Sequence, residues 1–172
     1  MGKVVFFLVF VFCALPLFAQ QGFKVGIQGG LPIGDYNDLV GVVMGGDLGY
    51  MAALGEVVDL GLSAGYLYGF PEKYGNENSV GDLPSIQFVP LAGSLRLWPS
   101  NAFSIGVDAG YALGLNEGND GGIYLRPLVG FLLGPQTELN FSYTNIGRDD
   151  TQWTTVTMGV RYTIPSRYRT RR

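Results

Sequence analysis

From Gly22 to Ile164 the chain alternates between apolar residues and polar or minimal ones. A period of two held over stretches this long leaves the β-strand as the regular structure available to it. In the first stretch Phe23, Val25, Ile27, Gly29 and Leu31 share one face, and Lys24, Gly26, Gln28 and Gly30 the other. In the second, Val42, Met44, Gly46, Leu48, Tyr50 and Ala52 oppose Val43, Gly45, Asp47, Gly49 and Met51. The third sets Val58, Leu60, Leu62, Ala64, Tyr66, Tyr68 and Phe70 against Asp59, Gly61, Ser63, Gly65, Leu67 and Gly69. Soluble strands run to about 5–6 residues, whereas a tilted membrane strand needs about 9–11. These stretches have the membrane length.

The rhythm continues from Ser85 to Trp98, Ala102 to Leu113, Gly122 to Leu133, Thr137 to Ile146 and Gln152 to Ile164, which makes eight strands. The fourth and sixth are the least regular. Pro90 and Pro127 interrupt them, and Phe88, Leu128 and Leu132 are bulky for an inner face. A strand proline cannot donate to the ladder, so bulges are expected at both. Leu54 to Val57, Trp98 to Asn101 and Leu133 to Gln136 make tight connections; Ile33 to Val40, Pro71 to Pro84, Asn116 to Gly121 and Gly147 to Thr151 are mostly longer and polar. An even strand count with short turns at one end and longer loops at the other predicts an all-β, eight-stranded antiparallel transmembrane β-barrel, with both termini in the periplasm and the longer loops outside the cell.

Lys3 precedes an apolar run from Val4 to Phe18, and Ala19 is a small residue before Gln20. Residues 1–19 therefore read as a secretory signal peptide, too short in its apolar part for the ~20 residues that span a bilayer as a helix. The barrel is expected over residues 20–164 and a basic periplasmic tail over 165–172. Cys13 is the single cysteine and lies in the predicted leader, so no disulfide is expected in the mature chain.

Alternation alone also suits a soluble sandwich or lipocalin. The second face argues against both. It carries the charges together with many of the 27 glycines, as a crowded lumen requires, where a solvated sheet face would be rich in Lys, Glu and Thr. The aromatics sort by height as well: Phe23, Tyr50, Trp98, Phe103, Phe131 and Tyr162 fall near one rim, Tyr66, Tyr68, Phe70, Tyr111, Tyr143 and Trp153 near the other. Two such girdles are expected at the two interfaces of a membrane.

Composition removes most chemistry. There is no histidine, and with it go the commonest general base and the commonest metal ligand. A net charge of -3 offers nucleic acid no basic surface. The adjacent Asp149 and Asp150 read as solvated loop acids rather than a catalytic or metal pair. No cofactor, no bound metal and no enzymatic activity are expected.

Strand parity sends Lys24, Asp47, Asp59, Arg96, Asp108, Arg126, Glu138 and Arg161 into the lumen, four bases and four acids. Charges confined at low dielectric must pair, so a salt-bridge plug is expected, with Lys24, Asp59, Arg96, Glu138 and Arg161 toward the periplasmic end and Asp47, Asp108 and Arg126 nearer the middle. Arg96, Arg126 and Arg161 with Asp47 and Asp108 form the alternative, an ion filter or gate. In the longer loops acids outnumber bases nine to two, from Asp35 to Asp150. That fits solvated tips, or oxygen ligands for divalent cations shared with lipopolysaccharide.

The segments Leu31-Pro32-Ile33-Gly34-Asp35-Tyr36-Asn37-Asp38 with Gly45-Gly46-Asp47-Leu48-Gly49-Tyr50, Val89 to Leu97, and Gly122 to Gly130 resemble the small, porin-like outer-membrane β-barrel proteins of Bacteroidota, over essentially the whole mature chain. Thr157, Gly159, Tyr162 and Ile164 resemble the terminal-strand signature by which the barrel assembly machinery recognises its clients, although this chain continues to Arg172. The resemblance implies a Gram-negative outer membrane and, as partners, membrane lipids and the assembly machinery. A non-enzymatic structural or surface-interaction protein is expected, with a small pore for ions or solutes as the alternative. A closed barrel leaves no edge to pair, so a monomer is expected.

Overall fold

The structure, a computed structural model, describes residues 22–34, 39–55, 57–71, 85–116, 119–147 and 152–165. The expected signal peptide, the arginine-rich tail and, apart from Asp120, the acidic loop residues lie outside these. Eight strands follow one another in chain order: β1 (Gly22–Ile33), β2 (Val40–Ala53), β3 (Val58–Pro71), β4 (Ile86–Ser100), β5 (Phe103–Gly114), β6 (Gly122–Leu132), β7 (Thr137–Gly147) and β8 (Gln152–Pro165). Each pairs antiparallel with its sequence neighbour, and β1 pairs with β8 to close the barrel.

The register sets the barrel's shape. Directly opposed residues lead from Phe23 through Tyr50, Leu62, Gly93, Ala109, Leu125, Asn145 and Thr154 back to Ile33 on β1. One circuit climbs from position 23 to position 33 of the same strand, a stagger of 10 residues. Eight strands so staggered tilt by about 40° from the axis, given ~3.3 Å per residue and ~4.8 Å between strands. A barrel of this size has an interior that side chains can fill.

Alternation assigns the two faces as expected. Ile27, Leu62 and Ile123 are each 72% exposed, and every strand adds further large apolar residues to the outer wall. Left in water, this band would forfeit about 25 cal/mol for each Å² of apolar surface; in hydrocarbon it forfeits nothing. Among the described residues no helix is long and apolar enough to cross a membrane, and the crossing is made by strands. At the end that carries both termini, Phe23 meets Tyr50 edge-on at 5.2 Å and Phe103 meets Phe131 at the same centroid distance. Toward the loop end, Tyr66, Tyr68 and Phe70 form a continuous aromatic row.

Three expectations need correction. Neither Pro90 nor Pro127 makes a bulge: both pair with β5, to Ala112 and Val107. Opposite their missing N–H groups the ladders to β3 and β7 skip a step and resume in the same register. The register shifts lie instead between Val40 and Val42, and between Leu97 and Ser100, where Pro99 takes the ladder-free position that a bulge provides. Trp98 and Trp153, placed on the rims by height, both turn inward: Trp98 bonds to the luminal Asp59, and Trp153 is fully buried. Their parity along β4 and β8 matches that of Arg96 and Arg161, and parity decides direction where height cannot.

A two-layered lumen as the candidate functional site

Inside the wall the side chains separate into two layers. The layer nearer the termini is ionic, and its hub is Arg126 on β6. Its Nε and Nη2 donate to Asp108 Oδ2 at 2.9 and 2.5 Å, and Nη1 donates to Gln28 Oε1 at 3.1 Å and Asp47 Oδ2 at 3.4 Å. Arg96 Nη1 reaches the other oxygen of Asp108 at 2.8 Å, while Arg161 holds Asp47 Oδ1 through Nε and Nη2 at 3.1 and 3.0 Å. The result is one chain, Arg96–Asp108–Arg126–Asp47–Arg161, crossing the lumen from β4 to β8. Charge-assisted, multiply bonded guanidinium and carboxylate groups make a stiff assembly.

Sequence parity placed all five inside, and the filter alternative grouped these same five; the structure adds the individual pairs. Arg96 and Arg161 are rooted toward the terminal end and reach up to the mid-lumen aspartates. Glycine makes the room: a Cβ on Gly106 would sit 2.3 Å from Arg96 Cδ and 2.7 Å from its Nη1. The Gln28 carbonyl also accepts from Thr157 Oγ1 at 3.2 Å, and Thr157 shares a 2.7 Å hydrogen bond with Ser142. Gln28 and Ser142 were not singled out from the sequence, since neutral polar residues on a polar face give no signal of their own.

The remaining three charges stand apart from this chain. Among the described residues Lys24, Asp59 and Glu138 make no ion pair within 4 Å. Trp98 joins two of them, donating from Nε1 to Asp59 Oδ2 at 2.8 Å while Lys24 Nζ lies 5.7 Å from its ring centroid. This β1 to β4 strap crosses the terminal mouth of the barrel. Glu138 opposes Arg161 in the register, yet its Oε1 is buried with no hydrogen-bond partner among the described residues.

Above the ionic layer, toward the loops, the lumen is apolar. Val40, Val43, Leu67, Phe88, Ala112, Tyr124, Ile146 and Trp153 are all at most 2% exposed and form one cluster. Phe88 and Trp153 pack with ring centroids 5.4 Å apart. The bulge beside Val40 turns it inward alongside Val43, as bulges re-aim side chains. Gly69 keeps space for the indole, since a Cβ there would lie 2.6 Å from Trp153 Cη2. The inner-face bulk of Phe88 and Leu128 is thus a filling and not a disturbance of the strands. At the same end Asn116 and Asn119 bond the backbone of Ser85 and Gln87 through Asn116 Oδ1, Asn116 Nδ2 and Asn119 Nδ2 at 2.7, 2.6 and 3.0 Å. These bonds fasten the β5–β6 connection over the start of β4.

No protein-family model matches the chain, and no curated protein matches it. Solved structures do. Ail, the attachment invasion locus protein of Yersinia pestis, aligns with a TM-score of 0.57 at 16% identity, over 84% of this chain and 97% of that one. The N-terminal β-barrel domain of Pseudomonas aeruginosa OprF aligns with a TM-score of 0.54 at 15% identity, covering 84% and 98%. A de novo designed transmembrane β-barrel gives 0.53 at 16% identity, covering 83% and 95%. With strand number, closure, exposed apolar band and girdles in agreement, this chain has the fold of the eight-stranded outer-membrane β-barrels.

Proposed function

We propose that the protein is a non-enzymatic, non-conducting β-barrel of a Gram-negative outer membrane, with both termini periplasmic, serving as a structural or surface-interaction protein. The observation that carries this is the doubly closed lumen: an ion-paired chain spans it, and an apolar layer capped by Phe88 and Trp153 lies above. Water and ions would have to cross both. The barrel is expected to act as a monomer presenting its acidic loops outward, and Thr157, Gly159, Tyr162 and Ile164 on β8 to be the strand signal read by the assembly machinery. Purified protein in planar bilayers is expected to stay silent at either polarity. Regular unitary current steps from the wild-type chain would overturn the proposal.

One observation favours a second reading, the small pore. The Glu138 carboxylate, whose buried Oε1 has no hydrogen-bond partner among the described residues, opposes Arg161 across the β7–β8 ladder, so Arg161 has an alternative partner to Asp47 and a route by which the ionic chain could part. Should rare openings occur, Glu138→Gln is expected to abolish them; openings of unchanged frequency in that variant would remove the pair-exchange explanation.

A further inference from the structure

On the terminal side of the ionic chain, Gly130 presents no side chain to the lumen, and two polar atoms from the neighbouring strands close over it. A Cβ at this position would lie 2.5 Å from Glu138 Oε1 on β7 and 2.5 Å from Ser104 Oγ on β5. The two oxygens are therefore at most about 5 Å apart, a gap that two hydrogen bonds of about 2.7–2.8 Å to one shared oxygen span. Ser104 is 0% exposed and Glu138 3%. Neither oxygen has a hydrogen-bond partner among the described residues, and they do not bond each other. Buried polar atoms as a rule have partners, and where protein supplies none, ordered water does. We propose that Glu138 Oε1 and Ser104 Oγ bind one structural water molecule, which ties β5 to β7 across Gly130.

Charge decides that the ligand is neutral. Among the described residues the buried charges already cancel, Lys24, Arg96, Arg126 and Arg161 against Asp47, Asp59, Asp108 and Glu138, so a metal cation here would leave an excess charge at low dielectric. Water also matches the donor inventory. It donates to the carboxylate oxygen and can either donate to or accept from the serine hydroxyl. Asn140, opposite Gly130 in the β6–β7 ladder as Ser104 is in the β5–β6 ladder, is the third polar residue at this level of the inner face. With Oε1 so occupied, Glu138 leaves Arg161 to Asp47, to which that guanidinium makes two hydrogen bonds.

The test uses the full-length protein, isotope-labelled and folded into lipid vesicles, and solid-state NMR in which magnetisation passes from water protons to nearby carbons. Glu138 Cδ and Ser104 Cβ are expected to receive it several-fold faster than Asp108 Cγ, a buried carboxylate whose oxygens are taken up by Arg96 and Arg126. Gly130→Ala sets a methyl carbon 2.5 Å from both oxygens, and Ser104→Val fills the same space from β5; heat-shifted gel mobility verifies folding. Either folded variant should bring the Glu138 rate down to that of Asp108. A wild-type Glu138 as slow as Asp108 would overturn the proposal. So would a Glu138 rate that neither variant lowers, which would mean that bulk water at the terminal mouth serves the carboxylate. A Glu138 carboxyl signal that moves when potassium replaces sodium would identify a bound ion and overturn it as well. None of these readouts depends on conductance, so the two proposals fail separately.

Discussion

Asp108→Ala is expected to be the most damaging single substitution in the ionic layer, lowering stability by about 3–5 kcal/mol, the range for breaking a buried ion pair by removing one partner. Among the described residues Asp108 is the only carboxylate that Arg96 touches, and it takes two of the four side-chain hydrogen bonds of Arg126. Without it Arg96 keeps, among the described residues, a single hydrogen bond, to the Leu95 carbonyl, while Arg126 and Arg161 share Asp47. Arg126→Met should cost less despite the arginine's central place, because two complete pairs survive it, Arg96 with Asp108 and Arg161 with Asp47. Adding Arg96→Met to Asp108→Ala should restore part of the loss, since an uncompensated charge is removed. Denaturant midpoints for folding into lipid vesicles, compared at a common slope, give the order directly. A larger cost for Arg126→Met than for Asp108→Ala would mean that the hub, and not charge balance, governs the layer.

Trp153→Ala should cost about 3–5 kcal/mol as well, for a different reason. The indole is fully buried against Phe88, and truncating a packed aromatic forfeits its transfer energy and leaves a cavity in a wall that the barrel's closed ladders hold in place. Trp153→Phe keeps most of the volume and should cost clearly less. Both variants are expected to remain electrically silent, because the ionic chain below is untouched. A Trp153→Ala barrel as stable as wild type would show that the apolar layer is loosely packed. Steady conductance from it would show that this layer alone closes the lumen.

The wall of the barrel was legible in the sequence and its filling only in part. Period two assigned Phe23, Val25 and Ile27 to one face and Lys24, Gly26 and Gln28 to the other because one face must meet hydrocarbon. The same logic put all eight charged residues inside. It fails where both faces of a strand are apolar: along β4 and β6 the inward Phe88, Tyr124 and Leu128 resemble lipid-facing residues, and only their parity with Arg96 and Arg126 separates them. Trp98 and Trp153 were misassigned for that reason, since an aromatic near a strand end satisfies the composition of a girdle whichever way it points. The partnerships within the ionic layer were illegible on other grounds. Arg126 on β6 meets Asp47 on β2, across the lumen, and the reach of a long side chain into a shared centre depends on the stagger of the whole barrel and on the space left at Gly106.

The closing seam has a consequence for how the molecule comes to exist. Gly22 opposes Pro165, and Ile33 opposes Thr154, so the first strand to leave the ribosome finds its second partner only when the last is available. Until then β1 and β8 each present a row of bare amides and carbonyls that hydrocarbon cannot solvate. A half-built sheet is therefore no resting place in a bilayer. Closure of β1 on β8, and not the formation of any single hairpin, is therefore what makes the sheet a stable occupant of the bilayer.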